Sequence, residues 1–130
     1  MQRFTISGRL DGLNGMISAN RRSRYDGAKA KREGTALCVW AIRAARIRKP
    51  ERYPLTIWIH WTEPNGKRDP DNISGGGKKY ILDALQIARI IPNDGQKQIR
   101  GFIDTFSVNR KTPSITVSIY EDGEPLPSVF

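Results

Sequence analysis

The segment KRDPDNISGGGKKYILDALQIARIIPNDGQ, from Lys67 to Gln96, gathers four aspartates around a glycine run in a chain whose formal net charge is +9. In RDPD, proline keeps the residue before it out of the helical region, so Asp69 is expected to be extended. Alternate positions of an extended segment point to one side, which would turn Asp69 and Asp71 toward a common point. Two carboxylates held side by side repel unless a cation lies between them. Hard oxygen donors of this kind suit Mg²⁺, with Mn²⁺ as a substitute, ions that keep several waters and take further ligands from phosphate. Asp94 falls in the turn PNDG after a predicted helix. If that helix returns the chain to the end from which RDPD emerges, Asp94 completes a three-carboxylate metal site; if it runs to the opposite end, it does not. Either motif alone is also ordinary turn or helix-capping composition.

The run GGGKK has the composition of a phosphate loop but not its pattern. Asn72 stands five residues before Gly77, where a glycine is required, and neither Ser nor Thr follows the lysines. A helix predicted over about 78–89 puts Lys78 and Lys79 at its start, where the dipole disfavours cations. That placement suggests contact with a scissile phosphate; the plainer alternative is a solvated pair, with Lys79 bridging to Asp83. Asp83 itself reads as a surface or salt-bridged residue. Asp104 shares a strand face with Phe102, Phe106 and Val108, so it either points into a metal cleft or marks a solvated strand end. His60 is the only histidine and Cys38 the only cysteine, which leaves no zinc cluster and no support for a Cys–His nucleophile.

The charge is unevenly spread. Residues 1–49 hold twelve Lys and Arg against three acidic residues and so carry the whole +9, while residues 50–130 balance ten against ten. Such a surface favours a polyanionic partner, because cations that neutralise phosphates release condensed counterions; the bland alternative is a solubilising surface. A single cysteine, no apolar run near the ~20 residues of a membrane span, and a charged N-terminus fit a soluble protein of a reducing cytoplasm.

These residues must be positioned by a modest set of elements. RFTISGRL reads as a first strand, followed by a polar, glycine-punctuated, arginine-rich stretch expected to be a functional loop. From about 26 to 47 the pattern is helical, with Leu37, Trp40, Ala41, Ala44 and Ile47 as the apolar stripe. YPLTIWIHW alternates, with Tyr53, Leu55, Ile57, Ile59 and Trp61 on one face. Ile81, Ala84, Leu85 and Ala88 mark the second helix. RGFIDTFSVNR and SITVSIY follow as two strands, separated by a KTP short enough for a hairpin. The expected fold is α+β with an α/β-like order: one domain over 1–120, a mixed sheet built in the order β-α-β-α-β-β, and helices packed against it. The acidic, proline-containing tail 121–130 is expected to fray or serve as an arm.

The pattern RDPDN…KK…LDAL…IPNDGQ resembles that of the RusA-type crossover-junction endodeoxyribonucleases, Holliday junction resolvases of bacteria and prophages. About 30 residues match closely; looser similarity covers LNGMISANRRSRYDGAKAKRE and the order of elements. The resemblance implies a homodimeric, Mg²⁺-dependent hydrolase that nicks two opposed strands of a four-way DNA junction. By motif it implies that Asp69, Asp71 and Asp94 bind the metal, with Asn72 as a supporting or capping residue. The family's lysine, four residues after the second aspartate, corresponds here to Gly75; the nearest lysines are Lys79, the favoured candidate, and Lys78. Asn14 resembles the asparagine of the family's N-terminal loop, although DGL replaces the usual proline pair before it. Asn14, Arg21, Arg22, Arg24, Lys29, Lys31, Arg32, Lys67 and Arg68 are the expected DNA contacts. Two alternatives stay open: a nuclease for other branched or flap DNA, and a non-catalytic basic DNA-binding module whose aspartates only form turns.

Overall fold

The computed structural model describes residues 1–129. Its elements run β1 (Gln2–Ser7), α1 (Leu13–Arg22), α2 (Arg24–Ala44), β2 (Leu55–Glu63), α3 (Pro70–Ile87), β3 (Ile99–Val108) and β4 (Ser114–Tyr120). The fold is α+β, a single domain with a four-stranded mixed sheet in the order β1-β4-β2-β3. β4 lies antiparallel between β1 and β2, and β2 pairs in parallel with β3. The expected hairpin between the last two strands does not form. The chain instead crosses from the β3 edge to the middle of the sheet, where β4, with β-branched Ile115, Val117 and Ile119 on its core face, is buried along most of its length.

The alternation of β2 holds. Leu55, Ile57, Ile59 and Trp61 line the core with Phe4, Ile6, Ile115, Val117 and Ile119, and the helices close over that face. Burying these side chains stabilises the fold by about 1.5–3 kcal/mol each relative to exposure. The opposite face is polar. There His60 is held between the hydroxyls of Thr105 and Ser107, at 2.5 and 2.9 Å, which leaves it a satisfied strand residue.

Three expectations about the helices are corrected. The glycine-punctuated stretch after β1 is largely helix α1, joined to α2 through the single extended residue Ser23, whose hydroxyl accepts the Asp26 N–H as an N-cap. The buried stripe of α2 is Gly34, Thr35, Cys38, Ala41 and Ile42, while Leu37 and Trp40 are 50% and 74% exposed. Small residues face inward because α2 approaches α3 closely; a Cβ on Gly34 would stand 2.9 Å from the Tyr80 ring. Finally, α3 begins at Pro70 and runs straight through the glycine run, so Lys78 and Lys79 lie in mid-helix and not at its start. The intrinsic cost of those glycines, about 1 kcal/mol each, is overridden by packing. A Cβ on Gly77 would meet the buried Trp61 ring at 2.5 Å.

α2 and α3 end alike. Arg46 and Arg89 adopt positive φ, and the following Ile47 and Ile90 donate back to Ile42 and Leu85 as Schellman turns. The start of the tail is tied down and not frayed: Glu121 accepts from Glu51 N and Arg52 N, Asp122 pairs with Arg100, and Glu124 pairs with the N-terminus. No helix among the described residues is long and apolar enough to cross a membrane.

Candidate functional site

The chain leaves β2 at Glu63 and enters α3 at Pro70, and one ion pair fixes that path. Arg68 grips Glu63 with both arms of its guanidinium, Nε to Oε1 and Nη2 to Oε2, each at 2.8 Å. Both side chains are largely buried, at 16% and 6% exposure, so each group depends on the other for compensation. The remaining Arg68 nitrogen, Nη1, donates to the Leu10 carbonyl at 3.0 Å. Arg68 is therefore a brace, not a free DNA contact.

Beyond the brace, Asp69 is extended (φ −73°, ψ 151°), as Pro70 dictates, and occupies the N-cap of α3. Pro70 suits the first helical position, where no N–H is needed. Asp71 is already helical, so the alternation expected of an extended RDPD does not apply. The two carboxylates instead share the first turn of a helix, both on exposed residues, at the positive end of the helix dipole. Asp71 Oδ1 accepts its neighbour's Asn72 N–H at 3.0 Å.

Asn72 turns the other way. Its Oδ1 accepts the Asn14 N–H at 2.9 Å, and Gly12 approaches so closely that a Cβ there would lie 2.8 Å from the same oxygen and 2.9 Å from Arg68 Nη1. The start of α1 is thus seated on the aspartate turn. Asn72 ties the aspartate turn to the start of α1, and Asn14 takes part through its main-chain N–H. From this seat α1 carries exposed Arg21 and Arg22 outward to the Ser23 joint, and Arg24 opens α2. Along α2, Lys29 lies 4.0 Å from Glu33, Lys31 lies 3.8 Å from Asp83, and Arg32 is exposed. Lys67 is exposed beside the brace. Asp83 is salt-bridged as expected, with Lys31 in place of Lys79.

Lys78 and Lys79 part company. Lys78 Nζ donates to Asp104 Oδ2 at 2.7 Å and lies 4.4 Å from the centre of the Phe102 ring, while Trp61 Nε1 donates to Asp104 Oδ1 at 2.9 Å. Asp104 therefore neither enters a metal cleft nor marks a solvated strand end; it anchors Lys78 and the indole. Lys79 is exposed and makes no ion pair among the described residues.

Asp94 goes to the far end. The 18 residues of α3 span about 27 Å and carry the chain back past the start of the sheet, where Gln98 accepts from Leu55 N. Within one chain, α3 holds Asp94 apart from Asp69 and Asp71. Among the described residues, no group of three or more His, Cys, Asp or Glu is placed to hold a metal. Of the three aspartates of the motif, one chain brings only Asp69 and Asp71 to the same helix turn.

The lone thiol adds no chemistry. Burial pushes Cys38 up to about 12, which keeps it protonated and inert at neutral pH. Sequence reasoning missed the Glu63–Arg68 brace, although an acidic residue at a strand end five positions before an arginine was there to be read. Compared with known proteins, the chain matches no family model and no curated protein.

Proposed function

We propose that the chain is a Mg²⁺-dependent endodeoxyribonuclease of the crossover-junction type, acting as a homodimer on branched DNA, foremost the four-way junction, by paired cuts in opposed strands. One observation carries the reading. The first 49 residues hold all of the +9, and they are seated on the turn that presents Asp69 and Asp71 through Gly12, Asn14, Arg68 and Asn72. A backbone drawn in by Arg21, Arg22, Arg24 and Arg32 arrives beside two carboxylates on a fixed helix end. Those arginines position the strand without reading bases. Mg²⁺ bound there would supply a Lewis acid and a water of lowered pKa. Lys79, unpaired among the described residues, is the lysine left to meet a phosphate oxygen that gains charge.

Asp94 can join this site only from a second copy. In an antiparallel two-fold dimer the ends of α3 exchange, and the Asp94 turn of one copy comes level with Asp69 and Asp71 of the other. Asp71→Asn is expected to bind labelled four-way junctions normally and to lose Mg²⁺-dependent nicking. Mixing Asp71→Asn with Asp94→Asn then separates the arrangements. A site shared between copies leaves one intact site in each heterodimer and restores single nicks; a site within one chain leaves none.

The separation of Asp94 from the other two aspartates favours one rival, a non-catalytic DNA-binding module. It predicts salt-sensitive binding and no Mg²⁺-dependent nicking of junction, flap or duplex. Nicking of flaps in preference to junctions would keep the chemistry and change the substrate.

A further inference from the structure

The helices pack on one face of the sheet and leave the other open. Three rows of side chains cross the open face. The row that starts at Arg3 continues through Ser118 and Trp58 to Ile103. The next two, from Thr5 to Thr105 and from Ser7 to Ser107, carry hydroxyls and His60. Sheets with antiparallel pairs commonly leave one face to water, so the hydroxyls alone need no further account. Two features go beyond that. A cavity of about 360 Å³ opens on this face, lined by Arg3, Trp58, His60, Thr116 and Ser118. It joins an indole to a guanidinium, and none of the three rows contains a carboxylate.

Both walls are fixed in advance. Trp58 Nε1 donates to Thr105 Oγ1 at 2.8 Å, and the same hydroxyl lies 2.5 Å from His60 Nδ1. His60 Nε2 meets Ser107 Oγ at 2.9 Å, which in turn lies 3.0 Å from Thr62 Oγ1. The indole therefore cannot turn without breaking into a connected chain of hydrogen bonds. Two strands away, Arg3 Nε donates to Ser118 Oγ at 2.9 Å, and both Nη nitrogens stay free among the described residues. A guanidinium held through Nε with its outer fork open is arranged for an oxyanion.

We infer that this cavity binds a nucleotide unit, its base against Trp58 and its phosphate on the Nη fork of Arg3. Every base has a π face to offer an indole, whatever its identity. The backbones of Arg3 and Trp58 stand two strand spacings apart, about 10 Å, which one nucleotide spans from the far edge of its base to its phosphate. Thr116 and His60, in the neighbouring row, put polar groups beside it. The chemistry is the same for a free nucleotide and for an unpaired member of a DNA strand, whereas a base stacked inside a duplex cannot lie on the indole. The cavity is on the face of the sheet away from α3, and so from Asp69 and Asp71, and it does not rest on the nuclease reading.

The test uses the full chain without Mg²⁺ and follows its three indole N–H signals by nuclear magnetic resonance, with Trp58 identified through Trp58→Phe. The probes are dAMP, deoxyadenosine, a short oligo-dA strand and its duplex with oligo-dT. dAMP and the single strand are expected to move the Trp58 signal and leave that of the buried Trp61 in place, while the duplex leaves both unmoved. Arg3→Gln, at an exposed position, and Trp58→Leu should each weaken binding about tenfold. Binding of the strand without dAMP assigns the site to unpaired DNA, and binding of dAMP without the strand assigns it to the free nucleotide; both sustain the proposal. An unmoved Trp58 signal with either probe overturns it. So does binding that Arg3→Gln leaves unchanged, even where Trp58→Leu fails to fold, and so does deoxyadenosine binding as tightly as dAMP. Asp71→Asn is expected to bind dAMP like the wild type, so failure of the nucleotide site and failure of the nuclease reading are seen separately.

Discussion

At its N-terminus α3 is held by a bidentate ion pair to β2 and by a hydrogen bond to α1, with Asp69 and Asp71 carried on the turn between them. At its C-terminus it closes in a Schellman turn and releases the chain into an exposed loop. There the Asp94 N–H bonds Asn93 Oδ1, while the Asp94 carboxylate accepts nothing among the described residues. The acidic stations before and after this helix are therefore built to opposite specifications. The first is positioned by the fold of its own chain. The second is exposed, and its carboxylate is left open to solvent.

That contrast can be broken most severely at Arg68. Arg68→Ala leaves Glu63 buried without a partner and should destabilise by about 3–5 kcal/mol in chemical denaturation; a loss under 1 kcal/mol would mean the brace is ornamental. Midway along the helix, Gly77→Ala drives a methyl into the Trp61 ring, and overpacking of this sort costs about 1–3 kcal/mol. The same denaturation curves, with tryptophan emission as the probe, report it. At the open end, Asp94→Ala should stay within about 0.5 kcal/mol of wild type while abolishing Mg²⁺-dependent nicking. A large loss of stability there would place Asp94 among the structural residues and erase the contrast.

Much of the scaffold was legible. The alternation of β2, the apolar stripe of α3 from Ile81 to Leu85 and the extended Asp69 before Pro70 all follow from local rules that the tertiary structure leaves alone. The site was legible only in part, because its assembly depends on what α3 does. Glycines 75–77 argued against helix by propensity, and burial of Gly76 and Gly77 against neighbouring elements reversed that preference. In α2 the largest apolar residues suggested the wrong face: close helix packing selected Gly34, Cys38 and Ala41 and left Trp40 outside. The misplaced hairpin has a similar origin. A short KTP connection speaks for adjacency, but a central place buries Ile115, Val117 and Ile119 and covers Ser118 on the other face, and burial decided between them.

Gly77 and Gly34 have a joint consequence. One admits the Trp61 ring from the sheet below α3, and the other, on α2, admits Tyr80 from α3 itself. Keyed on both sides, α3 can neither slide nor turn without driving a ring into a neighbour, so it serves the molecule as a gauge. Adding or deleting a residue between Gly77 and Ile87 would shift its far terminus by about 1.5 Å and rotate it by about 100°. The interval from the Asp69–Asp71 turn to the end of α3 is thereby set by residue count.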